Sequence, residues 1–189
     1  MANRDAPFGA RIVGHLLGSD WNGKARKYTI PATDSTAVFM GDFVTHQGTS
    51  ATGFDGELLP VVAQSAAGDA LTGIVVGFGL NPSYLNQTYR TASTLRDVYV
   101  CDDPYVLFEI QSDGTGAVTD IGANADIVVG SGSTTTGLSA MELDESSVTT
   151  STAQLRIHGI SHRADNAIGA SAVFICSMNE SLYKSTTGA

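Results

Sequence analysis

From Lys27 onward the chain alternates short apolar runs with polar punctuation. The runs are KYTI (27–30), TAVFM (36–40), DFVTH (42–46), LLPVVAQ (58–64), LTGIVVGFG (71–79), DVYVC (97–101), YVLFEIQ (105–111), DIVVG (126–130), QLRIHGI (154–160) and SAVFICS (171–177). Each is rich in β-branched or aromatic residues and bounded by Gly, Pro, Asp or Asn, which is the signature of a strand. About ten such runs predict an all-β body, a β-sandwich, jelly roll or barrel, and argue against an alternating α/β fold. Pro60 lacks a donor N–H, so 58–64 reads as an edge strand or two shorter pieces. AVTDIGANA (117–125) predicts one short helical turn at most, closed by Gly122 or Asn124. GSGSTTTGLS (130–139) reads as an exposed loop.

Residues 1–25 show no such period. Phe8, Ile12, Val13, Leu16, Leu17 and Trp21 are scattered among Gly9, Gly14, Gly18 and Gly23. A segment like this cannot build its own core but can lie along another surface. The chain therefore divides into an extended N-terminal arm (1–25), a single β-rich body (26–183) and a loose tail (184–189). On this division the arm is separable, and removing it leaves the body folded.

Charge sharpens that division. The net charge is −9, but the first 27 residues carry five basic groups (Arg4, Arg11, Lys24, Arg26, Lys27) against Asp5 and Asp20. The rest of the chain is strongly acidic and repels nucleic-acid phosphates, which argues against DNA or RNA as a partner. The basic arm suits an acidic surface, such as a neighbouring copy, or is simply solvated. Charged residues make up only 15% of the chain and Gly is abundant, as in a turn-rich β protein with a neutral surface. No run reaches the ~18 apolar residues of a membrane span, and the N-terminus lacks the apolar region of a signal peptide. Cys101 and Cys176 lie in apolar runs and read as two buried free thiols.

Candidate chemistry does not assemble. His158 and His162 are four apart, but in a strand that spacing spans ~13 Å, too far for one zinc. GIVVGFG lacks the Lys-Ser/Thr of a phosphate loop, and GSGST is out of phase with a nucleophile elbow. In VYVCDDPYVLFEIQ (98–111), Asp102 and Asp103 stand beside Pro104, with Glu109 further on. Asp-Asp-Pro reads as a turn, with Asp102 bonding backbone N–H groups two residues on. Glu109 lies in a strand apolar on both faces, so it reads as a buried or interfacial carboxylate that needs a partner. No catalytic residue, metal ligand or cofactor site is assigned, and the chain reads as a non-enzyme.

Several segments together carry a resemblance: NRDAPFGARIVGHLLG, YTIPATDSTAVFMGDFV, LTGIVVGFG, VYVCDDPYVLFEIQ, DIGANADIV, TTTGLSAMELD and LRIHGISHRADNAIG. Together the chain resembles head decoration, or cement, proteins of tailed bacteriophages and prophages, over nearly its whole length. The resemblance implies a β-sandwich or jelly-roll body made in the host bacterial cytoplasm and seated on the outer capsid surface of the virion. It implies the major capsid protein as partner and self-association as a dimer or trimer. It suggests that the arm, through Arg4, Phe8, Arg11, Ile12 and Trp21, contacts the shell or a neighbour. Other readings are a tail-tube or head–tail connector subunit, or a carbohydrate-binding β-sandwich using Trp21, Tyr89 or Tyr105.

Overall fold

The order of apolar runs along the chain becomes an order of strands, and alternation within each strand divides them between two cores. A computed structural model describes residues 3–83 and 85–184. Its strands are β1 (Arg11–His15), β2 (Arg26–Ile30), β3 (Phe43–Thr52), β4 (Leu58–Gln64), β5 (Gly73–Phe78), β6 (Arg96–Cys101), β7 (Val106–Gln111), β8 (Asn124–Ala125), β9 (Ile127–Val128), β10 (Glu142–Leu143), β11 (Leu155–Ile160) and β12 (Val173–Met178). The fold is all-β. Val118–Asp120 and Glu145–Ser147 form single 3-10 turns. The first is the helical turn expected near Gly122, whose φ is +91°.

Strands β2-β4-β3-β5-β6 close into a barrel, and β1-β7-β12-β11-β8 form a five-stranded sheet beside it. β9 and β10 pair as a short antiparallel ladder. Closure leaves the barrel without an open edge. The seam is the parallel contact of β2 with β4, made through the single pair Thr29↔Val61. Pro60 therefore sits in a continuous strand, not at an edge. It lies opposite Ser50, immediately after the register shift between His46 and Ser50, where the ladder is already interrupted.

Successive side chains of a strand point to opposite faces. Val44, Val75 and Val100 point into the barrel, where they pack with Tyr28, Ile30, Val38, Val62 and Val98. Their neighbours Phe43, Ile74 and Cys101 point outward into a second core shared with Phe108, Ile110, Leu155, Ile157, Phe174 and Cys176 of the sheet. Phe43 and Phe108 meet edge to face, with ring centroids 5.3 Å apart. One layer of large apolar side chains thus welds barrel and sheet. Both cysteines are free and buried in it.

Two long loops are tied down by polar groups. Arg90 is fully buried, and its guanidinium donates to Thr94 O (2.9 Å), Pro31 O (2.8 Å), Asp34 O (2.8 Å) and Thr36 O. Arg96 donates to Gly79 O, Gln87 O and Tyr89 O and lies over the Phe78 ring. The 131–136 stretch is largely exposed, as expected, but its flanks are not free. Met40 N donates to Gly137 O and Ser139 N to Met40 O, and a Cβ on Gly132 would enter the Phe39 ring.

Candidate interaction surface at the N-terminal arm

The arm is extended, but it docks on its own body. Asn3 Nδ2 donates to Ala167 O (2.7 Å) and Ala170 O (2.8 Å), and its Oδ1 accepts from Ala167 N. Gln111 of β7 holds the next residues, accepting from Ala6 N and donating to Arg4 O. Ala10 N then donates to Gly41 O (2.9 Å). Here two glycines allow a close crossing. Gly9 has φ +72°, and a Cβ on it would overlap Ser139 and lie 2.6 Å from Gly41 O. Gly41 has φ +93°, and a Cβ there would lie 3.0 Å from Phe8 O. Beyond the crossing, β1 adds itself antiparallel to β7 as the terminal strand of the sheet.

That placement answers what Glu109 pairs with. Glu109 is 7% exposed and accepts from the Arg11 guanidinium, directly opposite it in the β1–β7 register, and from Ser161 Oγ. Three of the five basic residues near the N-terminus are likewise engaged by the acidic body. Arg11 meets Glu109, Arg26 Nε lies 3.2 Å from Asp102, and Lys27 Nζ lies 2.7 Å from Asp55 and 3.3 Å from both Glu57 and Asp97. Much of the positive charge near the N-terminus is therefore met within one molecule, while the body keeps its acidic excess.

The Asp102–Asp103–Pro104 corner is a turn between β6 and β7, with the two carboxylates in exchanged roles. Asp103, not Asp102, accepts from the backbone N–H two residues on, that of Tyr105 (2.9 Å), and it also contacts His15 Nε2 at 3.1 Å. Asp102 is buried and accepts from Tyr28 O–H (2.8 Å), beside Arg26. A proline disfavours the helical conformation in the residue before it, which suits Asp103 to an extended entry into the turn. Burial, with the bonds to Tyr183 and Asp102, holds the Tyr28 hydroxyl well above the ordinary tyrosine range. Pro104 is half-buried at the corner.

Four of the five arm residues singled out by sequence, Phe8, Arg11, Ile12 and Trp21, line one pocket of about 300 Å³. The opposite wall is Met40 and Gly41 with Val75, Val76 and Leu138. The fifth, Arg4, is exposed and lines a neighbouring polar recess with Phe8, Gln111, Arg163 and Asn166. Phe8 stands between the recesses, with the Arg11 and Arg163 guanidinium groups 5.5 and 5.8 Å from its ring centre. The Trp21 indole N–H is buried and makes no conventional hydrogen bond, and the Cys101 thiol lies beside it. Burial pushes that thiol up to about 11, and burial raises Cys176 as well, so neither is a poised nucleophile at neutral pH. Sequence reasoning did not find the far wall. Val75, Val76 and Leu138 are ordinary apolar residues, and only the fold brings them to the arm.

Other candidates stay apart. His158 bonds Ser177 Oγ (2.9 Å), and among the described residues no three His, Cys, Asp or Glu side chains gather to hold a metal ion. Tyr89 stacks on Phe39 (5.0 Å), Tyr105 lies under Lys184 Nζ (4.9 Å), and Trp21 belongs to the apolar pocket, so each of these aromatics is engaged separately. Lys184, the first residue of the expected tail, donates to Met178 O; residues 185–189 lie outside the described residues. No helix among the described residues is long and apolar enough to cross a membrane. Comparison with protein-family models, curated proteins and solved structures finds no match.

Proposed function

We propose that this chain is a structural virion protein that binds the outer surface of a tailed-phage capsid and bridges neighbouring capsid subunits. The resemblance described above is its starting point. The observation that carries it furthest is the chemistry of the arm pocket. Its walls are apolar, and its one titratable group, Arg11, is already engaged by Glu109. Such a cleft is built to take apolar side chains of another protein, and it holds no acid–base pair for a reaction.

The rest of the molecule fits a part that must resist mechanical stress. The barrel and sheet share one core, and two buried arginines clamp the loops between strands. The acidic exterior disfavours the packaged nucleic acid and suits an outward-facing position. Stabilisation then follows from mass action, because the protein binds the assembled shell better than its separated parts. Many weak contacts that bridge adjacent subunits add through effective concentration.

The test is to delete the gene and heat purified particles. Particles lacking the protein should lose their genome at lower temperature and after milder osmotic shock than wild type, and adding back purified protein should restore them. Equal resistance with and without the protein refutes the reading.

A further inference from the structure

The segment between β1 and β2 carries the chain's single Asn-Gly pair, Asn22-Gly23. Both residues are exposed, immediately after Trp21, whose side chain packs against the second core. Three features meet at this pair. The Gly23 N–H makes no hydrogen bond among the described residues, so its nitrogen is free to react. Gly23 has φ +78°, and no atom beyond its chain neighbours lies within 4 Å of where a Cβ would stand, so nothing crowds that nitrogen. The Asn22 Oδ1 accepts from Lys24 N–H at 3.0 Å, which draws electron density from the side-chain carbonyl carbon.

We infer that Asn22 is a site of spontaneous deamidation in the folded protein, through a succinimide closed by Gly23. The Gly23 amide gives up its proton to solvent base, and its nitrogen attacks Cγ of Asn22 to close a five-membered ring. The oxyanion that forms on Oδ1 is held by the Lys24 N–H. The Nδ2 group takes up a proton and leaves as ammonia. Water then opens the ring. Breaking the bond from Gly23 N to Cγ gives aspartate, and breaking the bond from Gly23 N to the Asn22 main-chain carbonyl carbon gives isoaspartate. The balance is one water consumed and one ammonia released, with no oxidant or reductant.

The other six asparagines are poorly placed for the same step. Asn81 precedes Pro82, which has no amide proton to lose. The rest precede residues whose Cβ crowds the attacking nitrogen. Asn3, Asn124, Asn166 and Asn179 are also fixed through Nδ2, which donates to Ala167 O, Ser151 O, Ser161 O and Ala153 O respectively. At Asn22 either product adds a negative charge beside Lys24 and Arg26, offsetting part of the basic excess there. Isoaspartate also routes the main chain through Cβ and Cγ, which inserts one extra carbon between Trp21 and the start of β2 at Arg26. The change falls on the segment that joins a wall of the apolar pocket to the barrel. The inference is independent of the capsid reading, because its test uses the purified chain alone.

The test is to incubate the folded full-length protein at about pH 7 and about pH 8.5 and follow it by mass spectrometry after tryptic digestion. The tryptic peptide 12–24 holds Asn22 and no other amide side chain, so a mass gain from exchange of its amide for a carboxyl reports this site alone. Chromatography should resolve aspartate and isoaspartate forms, and the rate should rise several-fold per pH unit because the nucleophile is a deprotonated amide. The rate in the folded protein should lie within ~5-fold of that in the synthetic peptide 12–24, because the fold leaves the pair open. Gly23→Ala should slow the reaction ~10-fold or more by crowding the nitrogen. An unmodified peptide 12–24, a folded-state rate more than ~5-fold below that of the free peptide, a rate independent of pH, or equal rates with and without Gly23→Ala overturns the inference.

Discussion

The arm is held where Gly9 crosses Gly41, so a single methyl group at Gly9 tests whether that crossing is what docks it. Alanine at Gly9 must keep φ near +72°, a left-handed conformation that costs an L-residue roughly 1–2 kcal/mol. Its Cβ would also overlap Ser139 and press on Gly41 O, a backbone atom that cannot swing away. Overpacking of that kind costs roughly 1–3 kcal/mol, so the total is about 3 kcal/mol. The hydrogen bonds that dock residues 3–10, through Asn3, Gln111 and Gly41, contribute about 1 kcal/mol each. The strain and the docking energy are therefore comparable, and the arm lets go before the barrel distorts. Hydrogen exchange should show lost protection at Ala6 and Ala10, whose amides bond Gln111 and Gly41. With a urea m-value of ~2 kcal/mol/M the midpoint should fall by about 1.5 M. Gly18→Ala is the control: φ is +85° there, but no atom lies within 4 Å, so only the conformational cost of about 1 kcal/mol applies. If Gly9→Ala and Gly18→Ala shift the midpoint equally, the close crossing does not hold the arm.

Arg90→Met should cost about 4 kcal/mol in urea unfolding, because it leaves four loop carbonyls without their donor inside the protein. Arg90→Lys should recover less than half of that, since an ammonium cannot reproduce the planar fork of donors, and a lysine variant as stable as wild type would refute the clamp. Glu142 should make stability fall with rising pH. Burial, reinforced by Asp5 on the arm and Asp113, raises its pKa from 4.5 to about 7, so the folded state binds the extra proton between those values. Stability from this group is full below about pH 4.5 and lost as pH passes 7. Because the side chain is partly solvated, Glu142→Gln should gain only about 1 kcal/mol at pH 8, nothing at pH 4, and flatten the dependence between them. An unchanged pH profile in the variant would refute it.

Most strands were legible because their apolar periodicity survives in the fold. Eight of the ten expected runs overlap a strand of at least five residues at nearly the expected place. The exceptions have physical reasons. TAVFM makes only the isolated pairs Val38↔Arg90 and Met40↔Leu138, with different partners, and Val38 packs into the barrel core without joining its ladder. DIVVG shrinks to Ile127–Val128. β1 stayed hidden because its bulge at Val13 breaks the alternation by which a strand is recognised. Arg90 was invisible for another reason: its partners are backbone carbonyls, which no residue pattern reports.

Glu109 shows how far local pattern reaches. A carboxylate in a doubly apolar strand implies a buried partner, and the physics demanded one. Which of the ten basic residues supplied it depended on a strand nearly a hundred positions away that no periodicity announced. That dependence changes how the arm must be probed. Deleting residues 1–25 strips β7 of its neighbour, strands Glu109 with only Ser161 and removes Trp21 from the core. A truncated chain that fails to bind a shell would then report a damaged body as readily as a missing contact. Leu17, 78% exposed and outside both cores, is an arm position whose change leaves the Glu109 pairing and the core in place.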